Sequence, residues 1–475
     1  MNLSNLTLVQ SKKLIDQGEL KPVELTEYYL KQIETKNPEI NAFITINEKA
    51  IEEAEKADKT KKLGGLPIAV KDAFSTRSLR TTSASKIIDN YKPVYESTVT
   101  SKILDEGAII IGKTNLDQFC HGSSTETSAY GATKNPWDTS RIPGGSSGGS
   151  TAAVAADMCS ASLGTETAGS IRLPASWCGT VGLKPTYGRV SRYGVLAMGS
   201  SLDCPGPITK SVEDAALILS TIAGKDENDN TSVNKPVEDY LAKLDPSVFK
   251  GMKFGLPKEY MNLQLEEGVR KNTLETIELI KSLGGQIVDV EMMDPAYAIA
   301  VYTIVCRSEV SSNLSRYDGT RYCVPEELKG QIAEYYEAVR GKGFGSEAKR
   351  RIMTGTFSLS SGYADEFFKQ AEKVRALLRD DVLNILKTVD LIIGPSTATI
   401  APKLGVSQLN PLFGEMADVL AETSSLTGLP GISIPNGLSE GLPTGFQIFG
   451  RHFDEQLILN VAKALEDELN FKSLN

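Results

Sequence analysis

"RIPGGSSGGSTAAVAA", residues 141 to 156, sets an unbroken run of glycine and serine, Gly144 to Ser150, against an alanine-rich segment. Such a run can be a flexible linker, a phosphate-cradling loop, the elbow of a serine hydrolase, or part of a catalytic site of another kind. A linker needs polar, structureless flanks, and "TAAVAADM" is a helix former, so the linker reading fails. A phosphate loop needs G-x-x-x-x-G-K-[ST]; Gly144 and Gly149 have the spacing, but Ser150 stands where lysine would neutralise the phosphates. Gly145-Ser146-Ser147-Gly148-Gly149 satisfies G-x-S-x-G, yet a nucleophile elbow follows a strand and is served by a downstream histidine. What precedes is the turn-rich "TKNPWDTSRIPG", and the one downstream histidine is His452.

The fourth reading draws on residues elsewhere. A buried lysine is available as a neutral base and can activate a serine in place of histidine. Lys71 ends the strand-like "LPIAVKD". Downstream, "GTETAGSIRLPASWCG" carries Ser170 after a turn of small residues, where the amides of Thr167, Ala168, Gly169 and Ser170 can converge on an oxyanion. Spacing alone leaves the bland readings open, a solvated strand-end lysine and a turn serine.

The rest of the chain limits the choices. Its 475 residues, 40% hydrophobic and 23% charged, describe a globular protein large enough for a sizeable core. No apolar run is long enough to span a bilayer, and the N-terminus lacks a secretory h-region, so a cytoplasmic protein is expected. The six cysteines are scattered without a CxxC pair, which favours free thiols over a disulfide or zinc framework. A net charge of −9 and a single short basic cluster, "AKRR", make direct gripping of nucleic acid a poor reading. With only His121 and His452 available, any histidine mechanism must use one of them.

Periodicity predicts a helical segment over about residues 1–60, with Leu25, Tyr29 and Ile33 on one face and Pro38 ending the pattern. Buried strands follow at "LPIAV" and "GAIIIG", with helices over Ser97 to Glu106 and Ser150 to Met158. Further strands are expected at "MKFGLP", "GQIVDV", "DLIIGP", "GISIPNG" and "PTGFQIFGR", with a mainly helical insertion over about 297–385. The alternation argues for one α/β domain over residues 1–475, a large mixed β-sheet covered by helices on both faces.

The segment "GGSSGGSTAAVAADMCSASLGTETAGSIRLPASWCGTVGLKPTYGRVSRYG" (144–194) closely resembles the core motif of the amidase signature family, and "PIAVKDAF" resembles its lysine segment. The likeness extends over nearly the whole chain. It implies the amidase signature fold and a triad: Ser170 as nucleophile, Ser146 in a cis peptide after Gly145 as relay, and Lys71 as base. Ser147 is implied in a supporting role, and the amides of residues 167 to 170 as the oxyanion hole.

Within that family, "YESTVTSKILDEGAIIIGKTNLDQF", "GSSTETSAYG", "SEVSSNLSRYDGTRY" and "KRRIMTGTFSLSSGYAD" resemble the glutamine-hydrolysing subunits of tRNA-dependent amidotransferases. The resemblance implies glutamine as substrate, held by Tyr302, Arg351 and Asp418. It implies ammonia passed to a tRNA-binding kinase/transamidase partner, the B-subunit, for converting Glu-tRNA(Gln) or Asp-tRNA(Asn). A small C-subunit would complete a heterotrimer. No cofactor is expected in this chain; ATP and magnesium would belong to the partner, and tRNA would be contacted mainly through it.

Three positions depart from that pattern. Ala168 stands where such subunits usually have Gly, and its Cβ would crowd the oxyanion loop if a positive φ were needed there. Glu166 stands where Asp is common, and His121 is unusual beside its motif. The rival readings are a stand-alone amidase for another small amide and a catalytically dead assembly protein.

Overall fold

The computed structural model describes residues 1–322, 330–410 and 412–474. Eleven strands form one sheet: β1 (Phe43–Ile46), β2 (Pro67–Lys71), β3 (Ile109–Thr114), β4 (Ala161–Glu166), β5 (Val181–Lys184), β6 (Cys204–Thr209), β7 (Lys253–Pro257), β8 (Gln286–Val290), β9 (Leu391–Pro395), β10 (Gly431–Ser439) and β11 (Leu442–Phe449). Their order is β1-β3-β2-β4-β6-β5-β10-β11-β9-β7-β8. The pairs β3–β2, β2–β4, β9–β7 and β7–β8 are parallel and the other neighbours antiparallel, so the sheet is mixed.

Helices cover both faces, as consecutive residues of β11 demonstrate. Thr444 receives the Asn272 amide of the helix Glu267–Ser282 at 2.8 Å. At Gly445 an added Cβ would strike Ser176 of the helix Arg172–Cys178. Adjacent strand residues point to opposite faces, so these two helices lie on opposite sides. Burial on both faces is why β2, β3 and β9 read as continuous apolar runs instead of alternating ones.

The chain departs from expectation near its start. "FITI" pairs antiparallel with β3 as the edge strand β1, because β-branched and aromatic residues suit a half-buried pleat. The helix Pro22–Ile40 runs through Pro38 and stops at Asn41, whose φ of 57° is left-handed. Proline in the last turn removes one N–H and does not end the helix, which the left-handed residue does. The helix expected from Ser150 begins at Gly148, taking two loop glycines into its first turn.

Between β8 and β9 the described residues are mainly helical: Pro295–Asn313, Ile332–Gly343, Ser346–Leu359 and Phe368–Ile385. Asp294 caps the first of these, accepting the Ala296 N–H at 2.9 Å, with Pro295 opening the turn. Cys323 and the rest of residues 323–329 lie outside the described residues. The helical layer shares a core with the sheet's loops, in which Tyr302, Val305 and Cys306 pack with Ala168 and Phe119.

Candidate active site

Parallel β2 and β4 lie side by side with Val70 opposite Leu163, so their carboxyl ends reach the same edge of the sheet. That register brings Lys71 to Thr165. The glycine–serine run approaches the same edge from the other side, because Ser147 leads into the helix Gly148–Ala155, which packs on β4. Gly145 fits only without a side chain: a Cβ there would lie 2.2 Å from Asp117 Oδ2 and 2.7 Å from the Ser124 nitrogen. The Gly145–Ser146 peptide is cis.

Lys71 is wholly buried. Its Nζ lies 2.8 Å from Ser146 Oγ, 2.9 Å from both Ser147 Oγ and Thr165 Oγ1, and 3.2 Å from the Thr165 carbonyl. Burial lowers the amine's pKa from the ordinary lysine value, against weaker opposing effects of Cys120 and Asp117. An amine surrounded by neutral hydroxyls and a carbonyl has no carboxylate to hold its proton, which favours the neutral base. Ser147 ties this cluster together, its Oγ donating to the Thr165 carbonyl at 3.2 Å.

Ser170 follows β4 on a short turn. Its carbonyl accepts the Ser147 N–H at 3.2 Å, which couples the two serine segments through the backbone. Its Oγ makes no hydrogen bond to Ser146 or Lys71. The N–H groups of Thr167, Ala168, Gly169 and Ser170 donate to no acceptor among the described residues. Ala168 takes a negative φ, so the crowding considered from the sequence does not arise; its methyl group is buried in the core of the helical layer.

Glu166 explains the stability of this turn. Its Oε2 accepts the N–H groups of Ile171 and Arg172, each at 3.0 Å, and Oε1 pairs with the Arg172 guanidinium at 2.6 Å. Ser425 Oγ spans the same carboxylate and the Ala168 carbonyl, at 2.9 and 2.6 Å. Neither Arg172 nor Ser425 was among the residues expected from the sequence, nor was Asp117, which gathers the N–H of Thr125 and the hydroxyl of Thr127 behind Gly145. Arg172 lies within the motif "SIRLP", the one sequence signal that points to it.

The three residues expected to hold an amino acid come from the helical layer and from the segment before β10. Tyr302 places its hydroxyl 2.9 Å from Thr167 Oγ1. Arg351 is buried and donates through Nε to Glu347 at 2.6 Å, leaving the outer edge of its guanidinium for another acceptor. Asp418 is buried too: Oδ2 accepts from Ser123 at 2.7 Å, while Oδ1 has no partner. That free oxygen presses on the oxyanion turn, since a Cβ on Gly169 would lie 2.2 Å from it. Burial, with the charge of Glu166 adding to it, pushes the Asp418 carboxyl up to about 8.

A cavity of about 560 Å³ opens beside these groups, lined by His121, Ser123, Glu347, Arg351, Gly414 and Glu415 among others. Of the expected site residues Arg351 alone lines it; Lys71, Ser146, Ser170, Tyr302 and Asp418 do not. His121, expected to be packed or half-exposed, is fully buried in its wall.

A base-and-hydroxyl cluster at the carboxyl ends of parallel strands, beside a turn whose amides are unpaired among the described residues, is the arrangement that acyl transfer requires. The chain belongs to the amidase family, whose model matches residues 24–459. Among its relatives, the glutamyl-tRNA(Gln) amidotransferase A-subunit of Thermoanaerobacter pseudethanolicus is 47% identical, the match covering 100% of this chain and 98% of the relative. The protein of that name from Listeria welshimeri is 45% identical over 99% of each chain. Among solved structures, the Thermotoga maritima glutamyl-tRNA(Gln) amidotransferase A-subunit superposes with a TM-score of 0.84 at 40% identity, covering 98% of this chain and 96% of the other. Peptide amidase from Stenotrophomonas maltophilia gives 0.83 at 26% identity, over 99% and 98%.

Proposed function

We propose that the chain is the glutamine-hydrolysing component of a tRNA-dependent amidotransferase, releasing ammonia for the amidation of Glu-tRNA(Gln) or Asp-tRNA(Asn). The observation that carries glutamine over another small amide is a buried acid and a buried guanidinium, each with hydrogen-bonding capacity to spare. A free amino acid offers one ammonium and one carboxylate, and the site offers an unpartnered Asp418 oxygen and an open Arg351 edge. The names of relatives matched end to end support the same reading.

In this mechanism neutral Lys71 takes the Ser146 proton while Ser146 takes that of Ser170. Ser170 Oγ then bonds to the amide carbon of glutamine. The amides of residues 167 to 170 hold the oxyanion as it forms. The proton returns through Ser146 to the leaving nitrogen, the C–N bond breaks, and ammonia departs. Water, deprotonated along the same relay, cleaves the Ser170 ester to release glutamate. Ser147 and Thr165 keep the Lys71 amine in line.

The ammonia is consumed by a transamidase partner, the B-subunit, which in this reading holds ATP, magnesium and the tRNA, with a small C-subunit completing a heterotrimer. The complex works in the cytoplasm, in protein biosynthesis. No helix among the described residues is long and apolar enough to cross a membrane.

The test is Ser170→Ala in the assembled complex. Glutamine-driven amidation of tRNA vanishes, while amidation driven by added ammonium persists. Survival of both activities rejects the assignment. High amidase activity of the chain alone on other amides, unchanged by partners, moves it to the stand-alone amidases.

A further inference from the structure

We propose that His121 is a second donor to the substrate's α-carboxylate, positioning it beside Arg351; the inference rests on the glutaminase reading above. His121 follows the short turn Gln118–Cys120 and lines the cavity that Arg351 also lines. Neither Nδ1 nor Nε2 has a hydrogen-bond partner, and both are buried. A neutral imidazole carries one N–H and one acceptor, and leaving both buried and unmade is costly unless a ligand completes them.

The polar neighbours on the same wall are already engaged. The Gln118 amide donates to Ser85 Oγ at 2.9 Å and to the Gly343 carbonyl at 3.1 Å, and its oxygen accepts the Gly345 N–H at 2.7 Å. Thr127 donates to Asp117 at 2.9 Å and Ser123 to Asp418 at 2.7 Å. His121 is thus set apart by having both polar atoms spare.

Its electrostatic setting selects the ligand. Burial and the Arg351 charge keep the ring's pKa well below its ordinary value, with Glu347 opposing them weakly. A neutral ring contributes an N–H without crowding a second cation against Arg351, and an incoming carboxylate accepts from both. The chain path fits this arrangement. His121 stands two residues before Ser123, whose hydroxyl orients Asp418. One loop therefore serves both ends of an amino acid: Ser123 at the ammonium anchor and His121 at the carboxylate anchor. Glu415 Oε2 is also unpartnered in this cavity and is the rival acceptor for the ring.

The experiment compares His121→Ala, His121→Met and His121→Asn in the full chain with its partner subunits, reading ammonia release against glutamine concentration. Loss of a hydrogen bond to a charged group corresponds to roughly tenfold or more in affinity. His121→Ala and His121→Met therefore raise the KM for glutamine about tenfold with kcat within about twofold, and His121→Asn, which restores an N–H donor, recovers much of that loss. Unchanged KM in all three variants overturns the proposal and leaves the ring to Glu415. A kcat loss common to all three overturns it as well, because that is the mark of a packing role. If the unsubstituted complex releases no ammonia from glutamine, the functional reading has failed, a result distinct from either of these.

Discussion

Glu166 and Arg172 enclose the turn that carries Ser170. One carboxylate holds two backbone N–H groups at 3.0 Å and the guanidinium at 2.6 Å, all out of contact with water. Removing one member of such a pair strands the other as a buried charge, at a cost of about 3–5 kcal/mol. Glu166→Gln should lower stability by that order in urea unfolding and lower kcat through disorder of the 167–170 amides. A variant with native stability and activity would reduce the pair to a passive contact.

Lys71 predicts a separation of stability from activity. Its pKa is lowered on folding, so the unfolded chain binds more protons between the folded value and about 10.4. The folded state therefore bears the full cost below the folded pKa, and that cost fades as pH rises toward the unfolded one. Lys71→Met removes it. Ammonia release should fall by roughly 10²–10⁴-fold, the usual worth of a general base, while the melting temperature at neutral pH holds or rises. A variant that loses stability and activity together would make Lys71 a structural residue.

Asp418 gives a second pH signature, in substrate capture. With its carboxyl pushed up to about 8 against about 3.9 unfolded, the folded state holds the extra proton between those values. Its contribution to stability accordingly falls as pH rises through that window. Capture of an ammonium needs the ionised form, so kcat/KM for glutamine should rise as pH approaches about 8. Asp418→Asn should lose this limb and raise KM by roughly 10–100-fold, the worth of a charged hydrogen bond. An identical kcat/KM profile in the variant would remove Asp418 from substrate binding.

Gly169 tests the contact from the other side. A methyl group there would lie 2.2 Å from Asp418 Oδ1 and 3.3 Å from the Ala421 Cβ, so either the carboxylate or the turn must shift. Gly169→Ala should impair glutamine hydrolysis at least as severely as Asp418→Asn, in kcat as well as KM. Unimpaired hydrolysis by a folded Gly169→Ala chain would contradict the close approach.

What the sequence reveals, it reveals through local strings. Lys71 at the end of a continuous apolar run, and the serines in runs of small residues, stand out because strand burial and tight turns leave marks a few residues long. Strand β1 falls inside a span whose overall period reads as helix, and at Pro38 one proline outweighs the pattern that carries the helix on to Ile40. Arg351 and Asp418 read as solvated charges without the family resemblance. Their burial comes from segments far apart in the chain, Arg351 against the cavity wall and Asp418 against Ser123 and the Gly169 turn, and no local period records that. The Ser425 bridge to Glu166 spans 259 residues and is invisible for the same reason. His121 gave only the signal of being out of place.

The chemistry of this site is built on β2, β4 and the turns they feed, while Tyr302 and Arg351 are supplied by a layer of helices inserted between β8 and β9. The two come from separate stretches of the chain. Changes in the helical layer can redirect the enzyme to a new amide without retuning the base, and changes at the strand ends can silence it without altering what it grips.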